Sequence, residues 1–392
     1  MTSMRAASAP FLFAGTIFAA AGYGATFLFS AYIRARGGDD IDTGLALGAA
    51  MIGTFAGVPL VGWFSGRIDA ARMTAIAAVS IACGFLVLAF AGAHGIALSR
   101  VAGALIGLGW GMFYIGAPMA LSERVTDADR GFWFTRFGAF QMAGIGGGPV
   151  LVNLAIGDFG LAIETAFLLV AFAALAASIL LLAFGNKSPL PRQGQAIRPW
   201  VRDIARIAPS HTIRPILMVG LGACVFSGLM SFQSSLVEGT KANASSFFIL
   251  YAVTVVGARI TLARFLARLP QSGLAIGLLL VMICGVAAMF GVPSSPVFQM
   301  VSAVLTGIGY GLVYPVIQTW AVNSAAPEHR HAALTWFVLI YFVGIFGFPV
   351  LGGWILVNFG KGALLSALLF AAVLEVAIAT FAITFRKSAV LR

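Results

Sequence analysis

Apolar stretches long enough to cross a bilayer follow one another along almost the whole chain, and polar residues gather in the short breaks between them. A helix needs about 20 consecutive apolar residues to cross the hydrocarbon. At that length the pattern predicts spans over residues 11–33, 43–64, 73–92, 96–121, 132–156 and 161–184. After a polar stretch at 185–214 it predicts six more, over 215–236, 246–266, 273–292, 297–321, 332–357 and 363–385. The first run is too long for a signal-peptide core and no small-residue cleavage site follows it cleanly, so it is read as a retained helix.

Composition identifies the solvent. Of 392 residues, 60% are hydrophobic and 9% charged, which is more apolar surface than one or two soluble cores can hide. Lipid therefore surrounds most of the chain. The formal net charge of +11 does not mark a nucleic-acid partner, because the basic residues form no patch interleaved with aromatics. They sit in the breaks, where positive charge resists translocation and sets topology. With the N-terminus in the cytoplasm, the inner segments carry Arg5, Arg67, Arg72, Arg124, Arg130, Arg136, the cations of 185–214, Arg264, Arg268, Arg330, Arg386, Lys387 and Arg392. The outer loops then carry only Arg34, Arg36, Lys241 and Lys361. One missed helix would invert every later loop, so an even number of spans with both termini inside is expected.

Other chemistry is sparse. Cys83, Cys224 and Cys284 lie inside apolar runs without metal or redox spacing. None of His94, His211, His329 and His331 has a second ligand at metal spacing, so no metal and no cofactor is expected. The stretch 185–214 reads as a tether between the halves whose cations meet anionic headgroups, with a short basic amphipathic helix over 198–206 at the inner membrane surface as the alternative.

The second half of the chain repeats the first. Gly107-Leu108-Gly109-Trp110-Gly111 returns as Gly307-Ile308-Gly309-Tyr310-Gly311, an offset of 200 residues (307 − 107). Without a gap, the same offset pairs Tyr114 with Tyr314, Arg130 with Arg330, Gly144-Ile145 with Gly344-Ile345, and Pro149 with Pro349. The fourth and fifth helices thus match the tenth and eleventh. The fold expected is an all-α membrane protein of twelve transmembrane helices in two six-helix bundles related by pseudo-two-fold symmetry: residues 1–184, a cytoplasmic linker at 185–214, and residues 215–392. Parallel repeats of this kind suit alternating access to a site near the membrane midplane.

At this point the chain resembles the major facilitator superfamily over essentially its whole length. The loop after the second helix, from Gly62 through Gly66-Arg67-Ile68-Asp69 to Arg72, is similar to the family's inner-loop signature. It departs by placing Gly66 where the family has an acid and Asp69 where it has the second glycine. The resemblance implies an inner gate latched by charge pairs, with Arg67 or Arg72 meeting Glu123 and with Arg130, Arg264 and Arg330 in the same belt. Gly144, Gly148 and Pro149 in helix five resemble the glycine-proline element of the family's antiporters, many of them drug exporters. Pro349, Gly352 and Gly353 are its counterpart, and close helix packing is the role expected of all six.

The helices that line the family's cavity, the first, fourth, seventh and tenth, contain no Asp or Glu apart from the terminal Glu123. Glu164 and Glu375 lie on helices that the resemblance puts at the periphery or flank. The coupling ion therefore stays open, with a proton as the candidate and Glu164 as a weak carrier. Arg259 lies well inside helix eight, where a charge must face a cavity, an acid or an anionic substrate. Arg100 either faces the pathway or snorkels from near the outer end of its helix. With Arg259 and Arg100, the candidate substrate-binding residues are Tyr23, Thr26, Trp110, Tyr114, Gln141, Ser231, Gln233, Tyr310, Tyr314, Gln318 and Tyr341.

The function expected is secondary transport of a small organic anion or zwitterion by alternating access, by a monomer in a bacterial cytoplasmic membrane. The alternative is a multidrug or lipophilic-compound efflux antiporter. An enzyme is not expected, because His and acidic residues do not cluster at catalytic spacing.

Overall fold

A computed structural model describes residues 8–64, 67–187, 208, 210–266, 270–326 and 329–390. Its elements are helices: α1 Ala9–Ala25, α2 Phe29–Arg34, α3 Asp40–Phe64, α4 Ala70–Ala89, α5 Gly95–Ser122, α6 Asp127–Gly157 and α7 Ile163–Lys187, followed by α8 Ile213–Ser231, α9 Gln233–Val237, α10 Ala244–Leu266, α11 Gln271–Ala288, α12 Val297–Ser324, α13 Arg330–Phe342 and α14 Phe348–Val390. The α1/α2 pair runs on through a 3-10 turn at Thr26–Leu28, α8 and α9 meet at Phe232, and a π turn at Val343–Gly347 joins α13 to α14.

Ten of these segments are long and apolar enough to cross a membrane, and an eleventh, Ala244–Arg259, is a shorter apolar helix. The tenth, Ala332–Phe381, has 50 residues, about 75 Å at 1.5 Å per residue and more than twice the hydrocarbon thickness. Gly360 resolves the excess. Its φ of 82° and ψ of −179° break the helix, a conformation that glycine adopts without steric cost. Two spans result, which brings the total among the described residues to the twelve expected. Large apolar side chains face outward along the spans, among them Ile52, Phe172, Ile179 and Phe370, each more than half exposed. Such a surface belongs in lipid.

The chain divides into two compact units, residues 1–197 and 198–392. In the first, α1 packs along α6 and α7, α3 along α5, and α4 along α5 and α7. In the second, α8 packs along α13 and α14, α10 along α12, and α11 along α12 and α14. The adjacency is the same in both, as a duplicated bundle requires. Small residues set the spacing: Gly144 meets the backbone of Ile17 and Ala21, and Gly344 meets that of Gly220 and Cys224.

Candidate functional site

In the first unit the predicted residues gather where α1 tightens into its 3-10 turn. The Thr26 hydroxyl donates to the Tyr23 carbonyl at 2.7 Å, and the Tyr23 ring lies flat on Trp110 of α5, with centroids 4.4 Å apart and planes 7° from parallel. Tyr114 meets Trp110 edge-on at 5.8 Å. Trp110 is fully buried, and its indole Nε1 has no hydrogen-bond partner. Gln141 on α6 is buried.

The second unit repeats the stack with altered residues. Phe226 of α8 lies on Tyr310 of α12 at 4.8 Å and 10°. Tyr310 matches Trp110 at the offset of 200, whereas Phe226 matches Tyr23 at 203 (226 − 23). Tyr314 makes edge contacts with Phe337 and Tyr341 at 5.4 and 5.2 Å. Ser231 and Gln233 flank the break at Phe232, and both are buried. Neither amide atom of Gln233 has a hydrogen-bond partner. Gln318, on the same helix as Tyr310, is half-buried.

The intramembrane cations have different surroundings. Arg259 of α10 is half-buried, and its Nε donates to the Gly311 carbonyl of α12 at 3.0 Å. That bond ties α10 to α12. Arg100 is half exposed and pairs with Asp42 at 3.3 Å, at the ends of α5 and α3. Glu164 pairs with Arg36, whose guanidinium also lies 3.7 Å above the Tyr32 ring.

At the opposite end of the first unit, Arg124 is 3% exposed and its Nη2 donates to both oxygens of Asp69, at 2.9 and 2.7 Å. Asp69 also caps α4 by accepting the Ala71 N–H at 3.1 Å. The Arg124 guanidinium lies 5.1 Å from the Phe184 ring, and Glu123 stands 3.6 Å away. Burial, partly countered by Arg124 and reinforced by Asp69, holds the Glu123 carboxyl above its ordinary range. Arg67, Arg72 and Arg330 are exposed. The side chains of Arg130 and Arg264 lie outside the described residues. The acid and base in contact are thus the loop's Asp69 and the helix-end Arg124, a pairing that the sequence reading did not single out. Its signal was the departure itself, an acid at the loop's second glycine position.

The packing candidates lie against their neighbours as their size allows. Gly148 meets the Ala21 backbone, Pro149 lies against Gly24, Gly352 meets Phe232 and Phe348, and Gly353 is buried. Pro349 opens the helix that follows the π turn.

The sequence matches the family model of the Major Facilitator Superfamily over residues 11–272, two thirds of the chain. No curated protein matches it. Among solved structures, the nucleoside transporter NupG aligns with a TM-score of 0.73 and 16% identity over 97% of this chain and 99% of that one. A peptide transporter POT in complex with sulfate aligns at 0.74 and 14% over 99% and 96%. The human organic anion transporter MFSD10 (TETRAN) aligns at 0.70 and 15% over 95% and 98%. At these identities the likeness is one of fold.

Proposed function

The chain belongs to the major facilitator superfamily, and on that premise we propose that it is a secondary transporter moving a small organic anion or zwitterion by alternating access. The observation that carries the choice of cargo is Arg259, an arginine inside a span anchored through Nε to the Gly311 carbonyl. A guanidinium is always charged and presents its donors in a planar fork that matches a carboxylate. The predicted cavity helices carry no carboxylate within the membrane that would favour a cation. One of the solved relatives is an organic anion transporter by name, which agrees with this reading.

The remaining assignments follow from it. The cytoplasmic membrane is the proposed location, with both termini inside and residues 185–214 linking the bundles 1–184 and 215–392. Each bundle offers its own lining of the kind a small-molecule site uses, apolar walls with few polar groups: Tyr23 on Trp110 in the first, and Phe226 on Tyr310 with Ser231 and Gln233 in the second. Asp69, Arg124 and Glu123 hold the inner end of the first bundle, with exposed Arg67 and Arg72 flanking Asp69 in the chain; Arg330 is the exposed counterpart proposed for the second bundle.

The test is uptake of labelled carboxylic acids and amino acids into proteoliposomes under an imposed gradient. Arg259→Gln is expected to abolish uptake while the folded protein stays in the membrane. Unimpaired uptake by the variant removes the reason for preferring anions. Efflux of drugs or lipophilic compounds is the second reading, favoured by the Gly148-Pro149 contact with α1 and its resemblance to antiporters. Resistance to cationic compounds, conferred on cells in the absence of acid uptake, would decide for it.

A further inference from the structure

Glu375 of α14 is fully buried, and neither carboxyl oxygen has a hydrogen-bond partner. It points at α8, where its oxygens lie 3.0 and 3.1 Å from the place a Cβ on Gly222 would occupy. A side chain at Gly222 would crowd the carboxyl, which would have to give by a few tenths of an ångström. The titratable groups on α8 are Cys224 and Arg214, and Arg214 lies instead over the Phe381 ring at 5.9 Å. Among the described residues, the other elements that pack most closely on α14 present no acid or base toward Glu375. The π turn Val343–Gly347 and the 3-10 turn Met289–Gly291 contain no acid or base, and Cys284 of α11 is exposed.

A carboxylate removed from water without a countercharge or donor is costly, whereas a neutral carboxylic acid costs no more than other buried polar groups. The fit between α14 and α8 therefore depends on whether the carboxyl holds a proton. The position of α8 matters for the cargo. Beyond Gly222 the same helix meets Gly344 through the Cys224 backbone, bonds Ile345 through Ser227, stacks Phe226 on Tyr310, and leads to Ser231 and Gln233. A shift of α8 away from Glu375 moves the candidate binding residues with it.

We propose that Glu375 is the proton-binding site that couples this transporter to a proton gradient. Its carboxyl takes up one proton from water on one side of the membrane, forming an O–H bond. It releases that proton to water on the other side once α8 draws away and water reaches the carboxyl; no electron moves. The proposal rests on the reading of the chain as a secondary transporter, but not on the anionic cargo.

The full chain in proteoliposomes, without substrate, is followed by infrared spectroscopy through a pH titration. The expected result is a carboxylic-acid carbonyl band that disappears reversibly as the pH rises, is lost in Glu375→Gln, shifts in Glu375→Asp and persists in Glu164→Gln. A band that survives in Glu375→Gln, or that ignores pH, overturns the proposal. Should Glu375→Gln fail to assemble, an unshifted band in Glu375→Asp overturns it equally. With any labelled acid that the uptake screen finds to be carried, Glu375→Gln is expected to keep exchange of internal for external label but to lose accumulation against a gradient. Accumulation that survives in this variant overturns the coupling role. If no acid is carried, the anion reading fails while the infrared outcome still decides this one.

Discussion

The Ser227 hydroxyl donates to the carbonyl of Ile345, the acceptor that Pro349, four residues on, has no N–H to satisfy. The first unit solves the same problem differently. Pro149 stands four residues after Ile145, and Gly24 of α1 brings its backbone directly against the Ile145 carbonyl. Ser227 and Gly24 are equivalent at the offset of 203 (227 − 24), so one bundle uses a hydroxyl where its twin uses close approach. Ser227→Ala is expected to lower stability by about 1 kcal/mol, the usual worth of a buried hydrogen bond in a membrane bundle. Denaturant titration of the purified protein in detergent micelles measures it, and an unchanged midpoint would mean that the bond contributes nothing.

Gly107 and Gly307 are matched in sequence but not in their sensitivity to a methyl group. A Cβ on Gly107 would stand 2.6 Å from the Ala50 carbonyl carbon, backbone against backbone, whereas one on Gly307 would meet the Thr254 side chain at 3.1 Å. A side chain can turn aside; a helix backbone must shift as a whole. Gly107→Ala is expected to cost about 2 kcal/mol or more and Gly307→Ala less than about 1 kcal/mol, in line with overpacking penalties. Equal losses in paired unfolding curves would show that the two bundles yield alike.

The spans were legible in the sequence because lipid dictates their length, and the repeat was legible where glycines and aromatics on the fourth, fifth, tenth and eleventh helices keep one register. The correspondence of α1 with α8 was not. Its offset is 203, and the matched residues changed chemistry, Tyr23 becoming Phe226 and Gly24 becoming Ser227. The Asp69–Arg124 pair was hidden for another reason. The sequence set Glu123 beside the loop arginines Arg67 and Arg72, but which face a helix-end side chain presents is decided by packing, and Arg124 turns inward under Phe184. Glu375 looked peripheral because family resemblance assigned its helix to the flank, while its carboxyl packs against a glycine 153 residues earlier (375 − 222).

Asp69 both pairs with Arg124 and caps α4, and the two roles separate on substitution. Asp69→Ala removes the countercharge of a nearly buried guanidinium and the cap together, for an expected loss of about 3 kcal/mol. Asp69→Asn keeps an oxygen for the Ala71 N–H and is expected to lose about half as much. Thermal unfolding that ranks the two variants in the reverse order would exclude the cap.

Glu123 carries a pH signature of the opposite sign to a salt-bridged acid. Burial raises its carboxyl above the ordinary glutamate value, with Arg124 opposing and Asp69 adding to the shift. Between the unfolded value and the raised folded one, the folded state holds more protons. The group's contribution is therefore most favourable below that window and is lost as pH rises through it. Glu123→Gln is expected to gain stability relative to the unmodified protein as the pH climbs across this interval. A difference that stays flat with pH would mean that the carboxyl is not held in this way.

Gln233 separates a structural role from a functional one most sharply. Its amide is fully buried beside the break between α8 and α9, with donor and acceptor both lacking hydrogen-bond partners. A buried polar group left this way costs about 1–3 kcal/mol, so a sequence selected for stability alone would place a leucine there. Gln233→Leu is accordingly expected to raise stability by about 2 kcal/mol and to reduce substrate uptake in proteoliposomes. A residue that merely packs would behave in reverse, losing stability through the change of shape and leaving uptake intact. If the leucine variant is destabilised and transports normally, Gln233 does not belong to the substrate site, and the aromatic stack of Phe226 on Tyr310 becomes the nearer place to look for it.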